Sequence, residues 1–155
     1  MTEQKMNSYR YDECGLDNVE IVGVTFFVDD SGEEVFFVPF INGLHKAIAE
    51  GIVSHAHAMN GKELRFLRSE MGCTQSQLAD LVHHDRQSVG RWEREEIAID
   101  GSAEVIIRKH AIELLGLSVD KVTTEELSKL CSKGTGEQKI LIDGSNPENY
   151  RPVAA

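Results

Sequence analysis

Cys73-Thr-Gln-Ser-Gln-Leu-Ala-Asp-Leu-Val-His-His-Asp-Arg-Gln-Ser-Val-Gly-Arg-Trp-Glu-Arg94 is the stretch that decides how the rest of the chain is read. Thr74 stands three residues before Gln77, the spacing of a capping box, and Leu78, Ala79, Leu81 and Val82 then recur on one helical face. His83 and His84 leave room for only a brief turn before Asp85, an N-cap residue for a further helix with Val89 and Trp92 inward. The segment therefore predicts two short helices joined by a tight turn. The second carries Arg86, Gln87, Gly90, Arg91 and Arg94 on the face opposite Trp92.

That face has the chemistry of a major-groove reader, because the groove admits one α-helix. An arginine fork donates two hydrogen bonds to guanine O6 and N7, and a glutamine makes the matching pair with adenine. Arg86, Gln87 and Arg91 are the expected base readers. Gly90 costs the helix about 1 kcal/mol relative to alanine, and close approach to DNA would explain it. Thr74, Gln75 and Ser76 open the preceding helix, where free backbone N–H groups suit a phosphate oxygen. Gln75 is the expected phosphate clamp, flanked by Arg94. The plainer alternative is a helical bundle with solvated Arg and Gln, but caps, loop lengths and polar face agree better with the DNA reading. Trp92 is expected in the core rather than stacked on a base.

Outward from this pair, Asn60 and Glu63 form another capping box, with Met59 and Leu64 at staple positions. They begin a helix with Leu64, Leu67 and Met71 inward, closed by Gly72. Downstream, a helix is expected from about Ser102 to Leu115, with Val105, Ile106, Ile112 and Leu115 inward and Gly116 as its stop. Thr123 and Glu126 cap one more through about Ser132, and the end from Gly144 to Ala155 is expected to be mobile. Upstream, the first eight residues read as loose. Val19–Val28 and Glu34–Phe40 read as a β-hairpin turning at Asp29-Asp30-Ser31-Gly32, and Asn42 caps a helix over about 43–53 through Leu44, Ala47, Ile48 and Ile52. The stretch 54–59 reads as linker.

The expected fold class is α+β: a small N-terminal ββα unit followed by an all-α helix-turn-helix domain of about five helices. The boundaries are 1–58 for a module of dimerisation or partner binding, 59–133 for the helical domain and 134–155 for a tail.

The net charge of −10 over 155 residues disfavours nucleic acid at first sight. The distribution is uneven. Residues 1–60 carry 3 Lys and Arg against 10 Asp and Glu, residues 61–94 carry 6 against 5, and residues 95–155 carry 7 against 11. Only the middle segment escapes the acidic balance, and a binding footprint is local. No apolar run spans a bilayer and no secretory signal opens the chain, so an intracellular, cytoplasmic protein is expected. Cys14, Cys73 and Cys131 are odd in number and widely spaced, which predicts small buried apolar residues rather than a zinc ribbon, disulfide scaffold or nucleophile. His55, His57, His83, His84 and Asp85 lack supporting metal-ligand spacing. No catalytic motif is present, and neither enzyme activity nor a cofactor is expected.

Residues 61–94 resemble the Cro/repressor-type, XRE-like helix-turn-helix family through Thr74-Gln75, Leu78-Ala79, Asp85–Arg91 and Trp92-Glu93. The resemblance implies that Gln75 holds the backbone and that Arg86, Gln87, Ser88 and Arg91 touch bases or nearby phosphates. The union of an N-terminal β-rich module with this domain is similar to that of MqsA-like antitoxins, although their zinc-binding cysteine quartet is missing. These likenesses imply a homodimeric repressor on a palindromic operator in double-stranded DNA or, alternatively, an antitoxin that neutralises a protein toxin and autoregulates its operon. His83-His84 departs from the family's usual glycine at the turn.

Overall fold

A computed structural model describes residues 2–35, 38–131 and 138–153. The order is β1 (Thr2–Arg10), β2 (Val19–Val28), β3 (Glu34–Val35), α1 (Ile41–Ser54), α2 (Gly61–Glu70), α3 (Gln75–Val82), α4 (Arg86–Glu93), α5 (Gly101–Leu115), α6 (Thr124–Cys131), β4 (Ile140–Asp143) and β5 (Arg151–Pro152). The fold is α+β, with a small strand-and-helix unit followed by the five helices α2 to α6.

The expected turn forms as its residues dictate. Asp29 Oδ1 accepts from the N–H groups of Ser31 at 2.9 Å and Glu33 at 3.0 Å, and Gly32 takes a left-handed φ of 86°. Three expectations for this unit are corrected. The first residues are not loose but form β1, antiparallel to β2 from Thr2↔Val28 to Arg10↔Glu20. Pairing with a neighbour stabilises this polar strand, and its sequence carries no alternation to announce it. The second strand of the hairpin is short, and Val38–Phe40 lie outside it; Phe36 and Phe37 are outside the described residues. Helix α1 begins at Ile41 behind a left-handed Phe40 with no side-chain cap, so Asn42 lies inside the helix.

The C-terminal end is corrected too. β4 runs parallel to β2, from Val19↔Ile140 to Val22↔Asp143, and β5 pairs antiparallel with β4. The sheet order is β1-β2-β4-β5, with β3 paired to the far end of β2. Gly144 makes the approach possible, since a Cβ there would lie 2.4 Å from Ile21 Cγ2. Tyr150 is buried and donates its hydroxyl to Pro39 O at 2.8 Å, so the expected mobile end is anchored at Gly144, Tyr150 and the β5 pairing, with most of its other described residues exposed. Helix α1 closes over this sheet, with Gly51 against Ile140.

The helical caps match their sequence spacing. Both capping boxes, Asn60 with Glu63 and Thr74 with Gln77, are complete, and Gly72 and Gly116 are left-handed. Glu126 N–H donates to Thr123 Oγ1 ahead of α6, whereas Ser132 lies outside the described residues. Helix α5 starts one residue before the expected Ser102, capped by Asp100; of its expected inward residues, Ile112 and Leu115 pack against the core, but the buried face is a different one. Ala103, Glu104, Ile107, Arg108 and Ala111 point inward, and Ile106 is 39% exposed.

Glu104 and Arg108 face inward because they hold residues 53–59, which are no loose linker. The Arg108 guanidinium donates to the carbonyls of Val53, His55 and His57 and to Glu104 Oε2, and Glu104 Oε1 accepts from Met59 N–H at 3.1 Å. His55 Nε2 lies 3.1 Å from Glu63 Oε2, which also accepts from Asn18 Nδ2. Arg108 is fully buried, and such a charge is tolerable only with its donors satisfied. One buried cluster runs from Tyr11 through α1, α2, α3, α4 and α5 to Tyr150. Among the described residues no helix is long and apolar enough to cross a membrane.

Candidate nucleic-acid interface

The α3–α4 pair is set by local chemistry. Thr74 caps α3, His83 ends it with a left-handed φ of 59°, and Asp85 accepts from Ser88 N–H at 2.7 Å to start α4. The hydrogen bonds from Ser88 hold the Asp85 carboxyl below its usual range. The three-residue turn needs a left-handed residue, and histidine supplies it at a steric cost that glycine would avoid. Val89 and Trp92 are buried as expected, and His84 packs edge-on against the Trp92 indole at 4.9 Å between ring centroids.

Gln75, Arg86, Gln87, Gly90, Arg91 and Arg94 line one shallow concavity of about 330 Å³. Six of the nine expected contact residues thus share a surface. Thr74, Ser76 and Ser88 are outside it: Thr74 is committed to its cap, Ser76 is exposed beside it, and Ser88 gives its N–H to Asp85. Arg86, Gln87 and Arg91 are exposed, and none has an ion pair among the described residues. Arg94 is exposed and paired with Glu96 Oε2. Gly90 also has a neighbour within the protein. A Cβ there would lie 3.0 Å from Nη1 of Arg94, whose exposed side chain can swing aside.

The bracing of this surface comes from Arg68 and Gly61, neither of which carries an expected role, acting on Gln75, Trp92 and Glu93. Arg68 of α2 donates through Nε to Glu93 Oε2 at 2.6 Å and through Nη2 to Glu93 Oε1 at 3.1 Å, while Nη1 reaches Cys73 O. Glu93 raises the Arg68 pKa further. Gln75 Nε2 donates to the same Glu93 Oε1 at 3.1 Å, which ties the start of α3 to the end of α4. Gly61 sets the other contact: its missing Cβ would lie 2.4 Å from Glu93 O and 2.6 Å from Trp92 O. Its N–H is taken by Glu95 Oε1 at 3.2 Å. For Arg68 and Gly61 the sequence signal is the choice of glycine at the head of α2.

The histidines do not converge. Among the described residues no group of three or more His, Cys, Asp and Glu side chains could hold a metal ion. Cys14, Cys73 and Cys131 are half-buried rather than buried, and desolvation raises each thiol, that of Cys131 to about 12. No family model, curated protein or solved structure matches this chain.

Proposed function

We propose that this chain is a sequence-specific DNA-binding transcription regulator, acting as a homodimer that presents α4 to the major groove of a palindromic operator. The observation that carries the reading is the concavity where Arg86, Arg91, Arg94, Gln75 and Gln87 meet on one outward surface of an otherwise acidic protein. Guanidinium and amide groups are the side chains that read base edges and grip phosphates. The bidentate Arg68–Glu93 contact supports it, since a reader must be held rigidly to discriminate between bases.

In this reading Arg86, Gln87 and Arg91 contact bases with Gly90 and Ser88 beside them, and Thr74, Gln75, Ser76 and Arg94 contact phosphates. Half-site centres lie about one helical turn, ~34 Å, apart or a multiple of it. The N-terminal unit offers a second copy the edge of its sheet, where β1 is the outermost strand. Occupying a promoter excludes polymerase, so repression follows, in the cytoplasm and without catalysis or cofactor.

Selection of bound duplexes from a random pool at fixed salt tests the reading. The expected result is a palindromic consensus. A pool that stays unenriched over genomic carrier DNA would overturn it.

A further inference from the structure

Away from the α3–α4 surface, a cavity of about 820 Å³ opens between α1, the loop after α5 and the C-terminal segment around β5. Its volume is within the range of small-molecule sites. Glu50 of α1 lines it and is only 8% exposed. Other buried carboxylates here are saturated: Glu104 holds Met59 N–H and the Arg108 guanidinium, and Glu63 holds Asn60 N–H, Asn18 Nδ2 and His55. Glu50 is different. Its side chain accepts one hydrogen bond, from Ser118 N–H to Oε2 at 2.6 Å, and no cation pairs with it among the described residues. A carboxylate accepts about four hydrogen bonds, so Glu50 keeps capacity facing the cavity.

The rim supplies cations. Lys46, Lys121 and Arg151 are exposed there, and none has an ion pair among the described residues. Asp120 and Glu148 also reach the rim, so the site is of mixed charge rather than simply anion-binding. A ligand satisfying both features bears an ammonium or guanidinium for Glu50 and a carboxylate for the rim cations.

One lining residue reaches α2. His55 lines the cavity, is buried, and bonds through its ring to Glu63, the residue that closes the α2 capping box. Arg108 holds the His55 carbonyl at 2.9 Å. Helix α2 is in turn the element that Arg68 fastens to α4.

We propose that this cavity binds a small zwitterion of the amino-acid class, cation on Glu50 and carboxylate on Lys46, Lys121 and Arg151, and that its occupancy adjusts DNA affinity through His55 and α2. The second half rests on the DNA-binding reading, whereas the site itself does not.

The test uses the full chain without DNA, titrated with the common L-amino acids one at a time, with succinate as an anion-only and agmatine as a cation-only probe. Calorimetry and backbone amide NMR shifts report binding. Saturable binding of at least one amino acid that moves the Ser118 amide, with neither single-charge probe reproducing it, is the expected result. Glu50→Gln and Arg151→Gln should each weaken that binding roughly tenfold or more. Arg151 is exposed, so its variant keeps the test valid if Glu50→Gln folds poorly. No binding by any amino acid, or unchanged binding by the Arg151 variant, would overturn the site. With the ligand bound, operator affinity should change severalfold; an unchanged value would overturn the coupling while leaving the site intact, and absence of DNA binding both with and without ligand would overturn the DNA-binding reading and the coupling with it, but not the site.

Discussion

Arg68 and Glu93, one on α2 and the other at the end of α4, meet through two parallel hydrogen bonds of 2.6 and 3.1 Å. The contact fixes the angle at which α4 leaves the domain, and Gln75 shares its acceptor. A fork-to-fork pair restrains orientation as well as distance, which a single hydrogen bond cannot do.

Removing one partner should therefore be worse than removing both. Arg68→Met leaves the Glu93 carboxylate, 6% exposed, without its cation and should cost about 3 kcal/mol in urea unfolding. Arg68→Met combined with Glu93→Leu should recover much of that stability yet bind DNA less selectively. Equal stability of the single variant and wild type would show that the pair does not brace α4.

On the proposed reading, the arginines of the concavity should divide by role. Arg86→Ala and Arg91→Ala should each cost about 1–3 kcal/mol on operator DNA and relax specificity at one base pair. Gln75→Ala should weaken all duplexes similarly. Arg94→Gln should lower the slope of log affinity against log salt by about 1. Glu96→Gln, which releases Arg94, should tighten random-sequence binding by about threefold, the scale of an exposed ion pair. Fluorescence anisotropy on operator and scrambled duplexes across salt reads all five.

Two glycines at helix starts should respond in opposite directions. Gly61→Ala drives a methyl into the carbonyls of Trp92 and Glu93, which are backbone and cannot swing away, so a loss of about 1–3 kcal/mol or more is expected. Gly101→Ala meets nothing within 4 Å and should gain about 0.5–1 kcal/mol by restricting the unfolded chain. Thermal unfolding of the two variants checks the contrast.

Base titration should be delayed in the folded state. Tyr9 is raised to about 12 by its hydrogen bond to Glu13 and by burial, Tyr11 to about 12 chiefly by burial, and Tyr150 is raised by burial. These are all three tyrosines of the chain. A folded pKa above the unfolded value contributes stability that is complete below about pH 10 and is lost as pH rises through about 12. Phenolate absorbance should be nearly absent from the native protein at pH 10 and substantial in urea. Tyr11→Phe should narrow the alkaline loss while giving up the 3.0 Å contact with His45 Nε2.

The left-handed turn gives a last check. His83→Gly should stabilise the protein by up to about 1 kcal/mol in urea unfolding, because glycine adopts the φ of 59° without a Cβ clash. A loss instead would mean that the His83 side chain contributes more than its backbone costs.

What the sequence by itself determined is chiefly what has its partners within a turn of one another. Asn60 with Glu63, Thr74 with Gln77, Asp85 with Ser88 and Asp29 with Ser31 are contacts over two or three residues, so their spacing is their geometry. The starts of α2, α3 and α4, the short turn and the outward face of α4 followed from them; the start of α1, which has no side-chain cap, did not. Tertiary structure decided what joins distant residues: Arg108 on the carbonyl of Val53, 55 residues away; Asn18 on Glu63, 45 away; β4 laid parallel to β2; Gly61 beneath the end of α4; and Glu50 facing a cavity. A charged residue at a helical position reads as solvated until packing brings a partner, because burial of charge is decided by the whole fold and not by its neighbours in sequence.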